Sequence, residues 1–114
     1  MVAVSKQRFD EFVTAALDSL PRETAAQVAN VAFLIEDEHP TNPNILGLYH
    51  GVALTRRPYS IAGKLPDTIT LYRESIQRRC ATEEQLQERV RRVMLHEIGH
   101  YFGLSDADLH KRGY

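Results

Sequence analysis

A chain of 114 residues with 43% hydrophobic and 25% charged content is sized for one globular core and is too short for two, so it is read as a single domain over 1–114. Its net charge of −1 gives no general attraction to nucleic acid, no run approaches the roughly 18 apolar residues that span a bilayer, and nothing at the N-terminus points to export. Cys80 stands alone and cannot form an internal disulfide, so the expectation is a cytoplasmic protein that binds neither nucleic acid nor membrane.

Phe9, Phe12, Val13, Ala16, Leu17 and Leu20 recur at three- and four-residue spacing behind a Ser5 cap, which predicts an amphipathic first helix ended by Pro21. A shorter helix is expected from Arg22 to Val28. Val31-Ala32-Phe33-Leu34-Ile35 is a compact run rich in strand formers, closed by acidic residues and the loop from His39 to Pro43, and reads as a buried strand. Leu46 to Thr55 reads as a hairpin turning at His50-Gly51, followed by a surface loop from Arg56 to Pro66 that carries Pro58, Gly63 and Pro66.

The β-branched and aromatic run from Thr68 to Arg73 is a further strand, with a short helical stretch from Ser75 to Cys80 behind it. Thr82 and Gln85 fit a capping box, opening a long helix whose inner face is written by Leu86, Val90, Val93, Met94 and Tyr101. Gly103 is placed to stop that helix in a left-handed cap, and Ser105 with Asp108 marks the start of a last short helix. The arginine pairs Arg56-Arg57, Arg78-Arg79 and Arg91-Arg92 read as solvated surface.

The chemistry concentrates in His96-Glu97-Ile98-Gly99-His100-Tyr101-Phe102-Gly103-Leu104-Ser105-Asp106. At about 100° per residue, His96 and His100 lie about 40° apart around the helix and one turn apart along it, so both imidazoles can reach one small cation. Glu97 can lean to the same side without taking a coordination position, which suits a base that holds water beside the metal. A turn at Gly103 brings the chain back with Asp106 as the preferred third ligand, ahead of Asp108 and His110. Shuffling this composition would produce the full pattern in roughly one chain in twenty thousand, so chance explains it poorly.

With these residues in place, the chain resembles the zincin metallopeptidases and, within them, the metzincin-like pattern His-Glu-x-x-His-x-x-Gly-x-x-His/Asp. It is also similar to a family of small bacterial zincin-like proteins, through Val31 to Glu38, Leu46 to Val52, Leu65 to Arg73 and the terminal Gly113-Tyr114. The resemblance implies a minimal zincin-like α+β fold, with a small mixed sheet of about four strands packed on the active-site helix and the N-terminal helices. Ile69 to Arg73 would be the edge strand beside the cleft, where a peptide or protein substrate pairs. Asp106 stands where better-known metzincins have histidine, and Met94 precedes the motif, so there is no methionine-turn.

The expected activity is peptide hydrolysis with zinc as cofactor, held by His96, His100 and Asp106, and Glu97 as the base that activates the zinc-bound water. Tyr49, Tyr72, Tyr101 and Tyr114 are candidate oxyanion donors. The competing reading is a zinc-containing module that binds an extended peptide or protein with little or no turnover. Glu97 separates the two, because a purely structural site needs no carboxylate at the open position.

Overall fold

The structure, a computed structural model, describes residues 1–51, 53 and 67–113. The Ser5 hydroxyl accepts the Arg8 N–H at 3.0 Å and so starts α1 (Lys6–Asp18), whose Phe9, Phe12, Val13 and Ala16 are buried. Pro21 precedes the short α2 (Arg22–Gln27). Three strands follow, β1 (Ala32–Glu36), β2 (Gly47–His50) and β3 (Thr68–Tyr72), and then α3 (Arg73–Gln77), α4 (Glu83–Tyr101) and α5 (Asp106–Lys111). The expected helix over Ser75 to Cys80 thus begins two residues earlier, directly off β3.

Among the described residues the sheet has three strands in the order β1-β3-β2. β1 runs parallel to β3 from Ala32 opposite Thr68 to Glu36 opposite Tyr72, and β2 runs antiparallel to it from Gly47 opposite Leu71 to His50 opposite Thr68. The Ile69 to Arg73 segment is therefore the central strand and not the expected edge, and Arg73 already belongs to α3. The burial of β3 gives the reason. Ile69, Thr70, Leu71 and Tyr72 are all buried, so both faces are covered, and such a strand takes the middle position.

β1 corrects a second expectation. Val31 is buried just ahead of it, but Leu34 within it is 43% exposed, so the strand is only partly covered. A short apolar run shows that a strand exists without showing which of its faces is sealed. The first arm of the expected hairpin is the strand β2, which pairs with β3; apart from Ala53 the second arm, like the Arg56 to Pro66 loop, lies outside the described residues.

α4 packs against α1, β2 and β3. Its Leu86, Val90, Val93, Met94, Ile98 and Tyr101 join Phe9, Phe12 and Val13 of α1 and Ile69 and Leu71 of β3 in one core. Burying an aliphatic side chain is worth about 1.5–3 kcal/mol, so this stripe contributes on the order of 10 kcal/mol. An exposed pair such as Arg8 with Glu83, 3.0 Å apart, is screened by solvent and contributes little beside that. Apolar burial therefore sets the rotation of α4, and with it the direction in which the histidines point.

Capping sets where α4 begins and ends. Thr82 accepts the Gln85 N–H at 3.1 Å, while the Gln85 side chain reaches past Thr82 to the Ala81 N–H at 2.7 Å, one residue beyond the expected box. At the far end Gly103 takes a φ of 91°, a conformation that other residues adopt at a cost. Its N–H donates to the His100 carbonyl at 2.9 Å and the Leu104 N–H to the Gly99 carbonyl at 3.0 Å, closing the helix in a Schellman turn.

Candidate metal centre

The turn at Gly103 folds α5 back across the end of α4. Ser105 caps α5, its hydroxyl accepting the Asp108 N–H at 3.1 Å while the Asp108 carboxylate accepts the Ser105 N–H at 3.0 Å. This reciprocal pair holds the Asp108 carboxyl below its ordinary range, through the Ser105 backbone N–H first and the Ser105 hydroxyl second. Asp108, a rival third ligand on sequence, is thereby occupied as a cap. Asp106 opens the helix and turns toward α4.

The Oδ1 atom of Asp106 lies 3.1 Å from His96 Nε2 and 3.0 Å from His100 Nε2. The two rings stand 4.8 Å apart between centroids and nearly perpendicular, at 82°. Both histidines are about a quarter exposed, 29% and 26% at the side chain, which places them between core and solvent. His100 Nδ1 is 2.9 Å from the Leu104 carbonyl, an acceptor, so Nδ1–H donates to it and fixes the ring with Nε2 directed at Asp106.

Glu97 lies on the inner side of this pair and is buried, with Oε1 accepting the Tyr49 N–H at 3.0 Å. Burial pushes its carboxyl above the usual glutamate range, against the opposing pull of the His100 and His96 imidazoles and of the Tyr49 N–H. The ligand atoms of His96, Glu97 and His100 all lie within 4.8 Å of one another, a group that can hold a metal ion. In a tetrahedral zinc site with bonds of about 2.0 Å, neighbouring donors sit about 3.3 Å apart. The spacings of the two imidazole nitrogens from Asp106 are close to that edge, so the residues present fit a zinc ion.

These groups open onto a cleft of about 990 Å³ between α4 and β2, walled on one side by Leu46, Gly47 and Leu48 and on the other by Arg89, Arg92 and Val93. Tyr49 lines the cleft, and its phenol donates to Asp67 at 2.7 Å. Tyr101 donates to the Gln27 carbonyl at 3.2 Å, Tyr72 is buried with its ring edge-on to His39, and Tyr114 lies outside the described residues. Of the candidate oxyanion donors described, Tyr49 is the one at the cleft.

Three features of the site had no reading in the sequence. The Tyr49 N–H reaches Glu97 from a strand 48 residues away, so no local signal announces it. The Leu104 carbonyl that orients His100 is backbone and carries no side-chain signature. Gly99 is visible as a glycine inside a helix, where it costs roughly 1 kcal/mol relative to alanine, and that cost was the available signal that something packs there.

A helix carrying two imidazoles one turn apart and an adjacent buried carboxylate, set against a small mixed sheet across an open cleft, forms a group that could hold a metal ion. The sequence model of the zincin-like metallopeptidase family matches residues 27–114, and the chain belongs to that family. Among solved structures, a conserved hypothetical protein from Thermo thermophilus is similar in fold, with a TM-score of 0.60 at 21% identity over 87% of this chain and 94% of that one. No curated protein matches the chain.

Proposed function

We propose that this protein is a zinc-dependent peptidase in which His96, His100 and Asp106 hold the ion and Glu97 is the catalytic base. The convergence of two imidazole Nε2 atoms on one Asp106 oxygen, with Glu97 buried alongside, carries this reading. Bound zinc supplies Lewis acidity, polarising a peptide carbonyl and making water a nucleophile near neutral pH.

The chain's own groups do the rest. The Leu104 carbonyl holds the His100 ring through Nδ1, so that Nε2 is the atom turned to the ion. The Tyr49 N–H engages Glu97 Oε1, leaving Oε2 to take a proton from the attacking water and deliver it to the departing amine. Burial favours that protonated intermediate state of Glu97, because a buried carboxyl gains a proton more readily than an exposed one.

An extended peptide pairs along β2, in place of the central strand first expected. The Leu46 carbonyl accepts the Tyr72 N–H, so residues of that parity face β3, while the Gly47 backbone and the Tyr49 carbonyl face away from it toward the cleft and the Tyr49 N–H is taken by Glu97. Gly47 approaches α4 so closely that an added Cβ would stand 2.7 Å from Val93 Cγ1. Substrate therefore meets β2 directly beside Glu97.

The deciding experiment compares the parent with Glu97→Gln, His96→Ala and Asp106→Ala for zinc content and peptide hydrolysis. The glutamine variant retains stoichiometric zinc and loses hydrolysis by about a hundredfold or more, while the other two lose zinc. A glutamine variant as active as its parent would remove Glu97 from the chemistry and leave a peptide-binding module.

A further inference from the structure

Two cations line the cleft away from the metal centre. Arg89 and Arg92 lie on the α4 face that continues through His96, and both are exposed. Like charges three residues apart on a helix repel, and a carboxylate at helical spacing relieves that repulsion. Around Arg89 those positions hold Gln85, Leu86, Arg92 and Val93. Around Arg92 the one acid is Glu88, which hydrogen-bonds Arg91 in a two-pronged pair at 3.0 and 2.6 Å and acts on Arg92 only through space.

Among the described residues no carboxylate pairs with Arg89 or Arg92. Arg92 is nonetheless held in place, since one of its nitrogens donates to the Gly113 carbonyl at 3.0 Å, with no further hydrogen bond to a described residue. Arginine stays charged at any physiological pH and matches a carboxylate with two parallel N–H bonds. On the opposite wall the described residues Ile45, Leu46 and Leu48 are apolar.

We propose that Arg89 and Arg92 form a carboxylate-binding subsite that selects peptides with an acidic group at a set distance from the metal centre; this rests on the peptide-binding reading of the cleft. At 1.5 Å per residue, Arg92 and Arg89 stand about 6 and 10 Å along the axis from His96. An extended peptide advances about 3.3 Å per residue, so the acidic group lies two or three residues from the bond at the metal. An aspartate or glutamate side chain and a free C-terminal carboxylate both present this chemistry.

Binding, read by fluorescence anisotropy on zinc-loaded Glu97→Gln protein so that the probe stays intact, tests the subsite apart from catalysis. Three labelled peptides of one length are compared: an internal glutamate with an amidated C-terminus, a glutamine with a free C-terminus, and a glutamine with an amidated C-terminus. At least one acidic form binds about tenfold tighter than the doubly neutral one, and which form does so identifies the source of the carboxylate. Adding Arg89→Ala and Arg92→Ala together reduces that advantage to less than twofold, and Arg89→Glu with Arg92→Glu transfers it to a lysine peptide. Equal binding of all three peptides, or an advantage that survives the double alanine change, overturns the subsite. Zinc content and the hydrolysis lost in Glu97→Gln are unaffected by that result, so the peptidase reading stands or falls separately.

Discussion

Leu109 packs on Gly99, the fourth residue of the His-Glu-x-x-His run, so closely that a Cβ built on Gly99 would overlap the leucine Cδ2 atom. Leu109 is itself buried, and this contact seats α5 on the end of α4. Asp106, on the same short helix, is thereby held against His96 and His100. A glycine inside the motif thus positions a residue outside it.

Gly99→Ala is expected to lower stability although alanine is the better helix former. Overpacking costs about 1–3 kcal/mol against roughly 1 kcal/mol gained in helix propensity. α5 shifts outward, so zinc affinity falls as well. Adding Leu109→Ala makes room for the new methyl group, and isothermal titration with zinc then shows affinity recovering relative to Gly99→Ala alone. Affinity that falls further in the double variant would mean that Leu109 does not control the seating of Asp106.

Asp106→Ala separates the metal site from the fold. The Asp106 side chain is 83% exposed, so its removal leaves the stability of the zinc-free protein within about 0.5 kcal/mol of the parent. Zinc at a thousandfold over its dissociation constant stabilises the parent by about 4 kcal/mol, and a chelator abolishes that gain. The variant shows a much smaller gain at the same zinc concentration. Differential scanning calorimetry with and without zinc measures both quantities.

The Ser105 and Asp108 cap makes α5 sensitive to acid. The folded-state value of Asp108 lies below its ordinary 3.8, so the cap contributes stability that is present above 3.8 and is lost as the pH falls through the lower folded value. Asp108→Ala should therefore melt below the parent at a pH of about 6, with the gap closing only as the pH falls below 3.8 through the lower folded-state value. A gap independent of pH would show that the charge on Asp108 does not act through the cap. Ser105→Ala removes the hydroxyl acceptor and costs about 1 kcal/mol at neutral pH.

Leu86, fully buried at the start of α4, anchors the end of the helix away from the metal centre. Leu86→Ala should cost about 2–5 kcal/mol in urea denaturation while zinc binding per folded molecule is unchanged. A loss under about 1 kcal/mol would indicate that the core closes over the vacancy.

Much of this protein is written locally. Ser5, Thr82 and Ser105 announce helix starts because their hydroxyls accept the nearby N–H groups that a helix leaves unpaired. The stripe from Leu86 to Tyr101 and the one-turn interval from His96 to His100 depend only on helical geometry, which any stretch of sequence carries within itself. Gly103 marks its own turn, because a φ of 91° suits glycine above other residues.

What tertiary structure decided are the relationships between segments far apart in the chain. Whether Ile69 to Leu71 lies at the centre or the edge of the sheet depends on β1 and β2, both earlier in the chain, and alternation along a single strand does not contain them. The Tyr49 N–H on Glu97, the seat of Leu109 on Gly99 and the placing of Arg89 and Arg92 opposite Leu46 and Leu48 arise the same way. Each joins elements whose approach is set by packing the whole core at once, and packing is a property of the assembled chain.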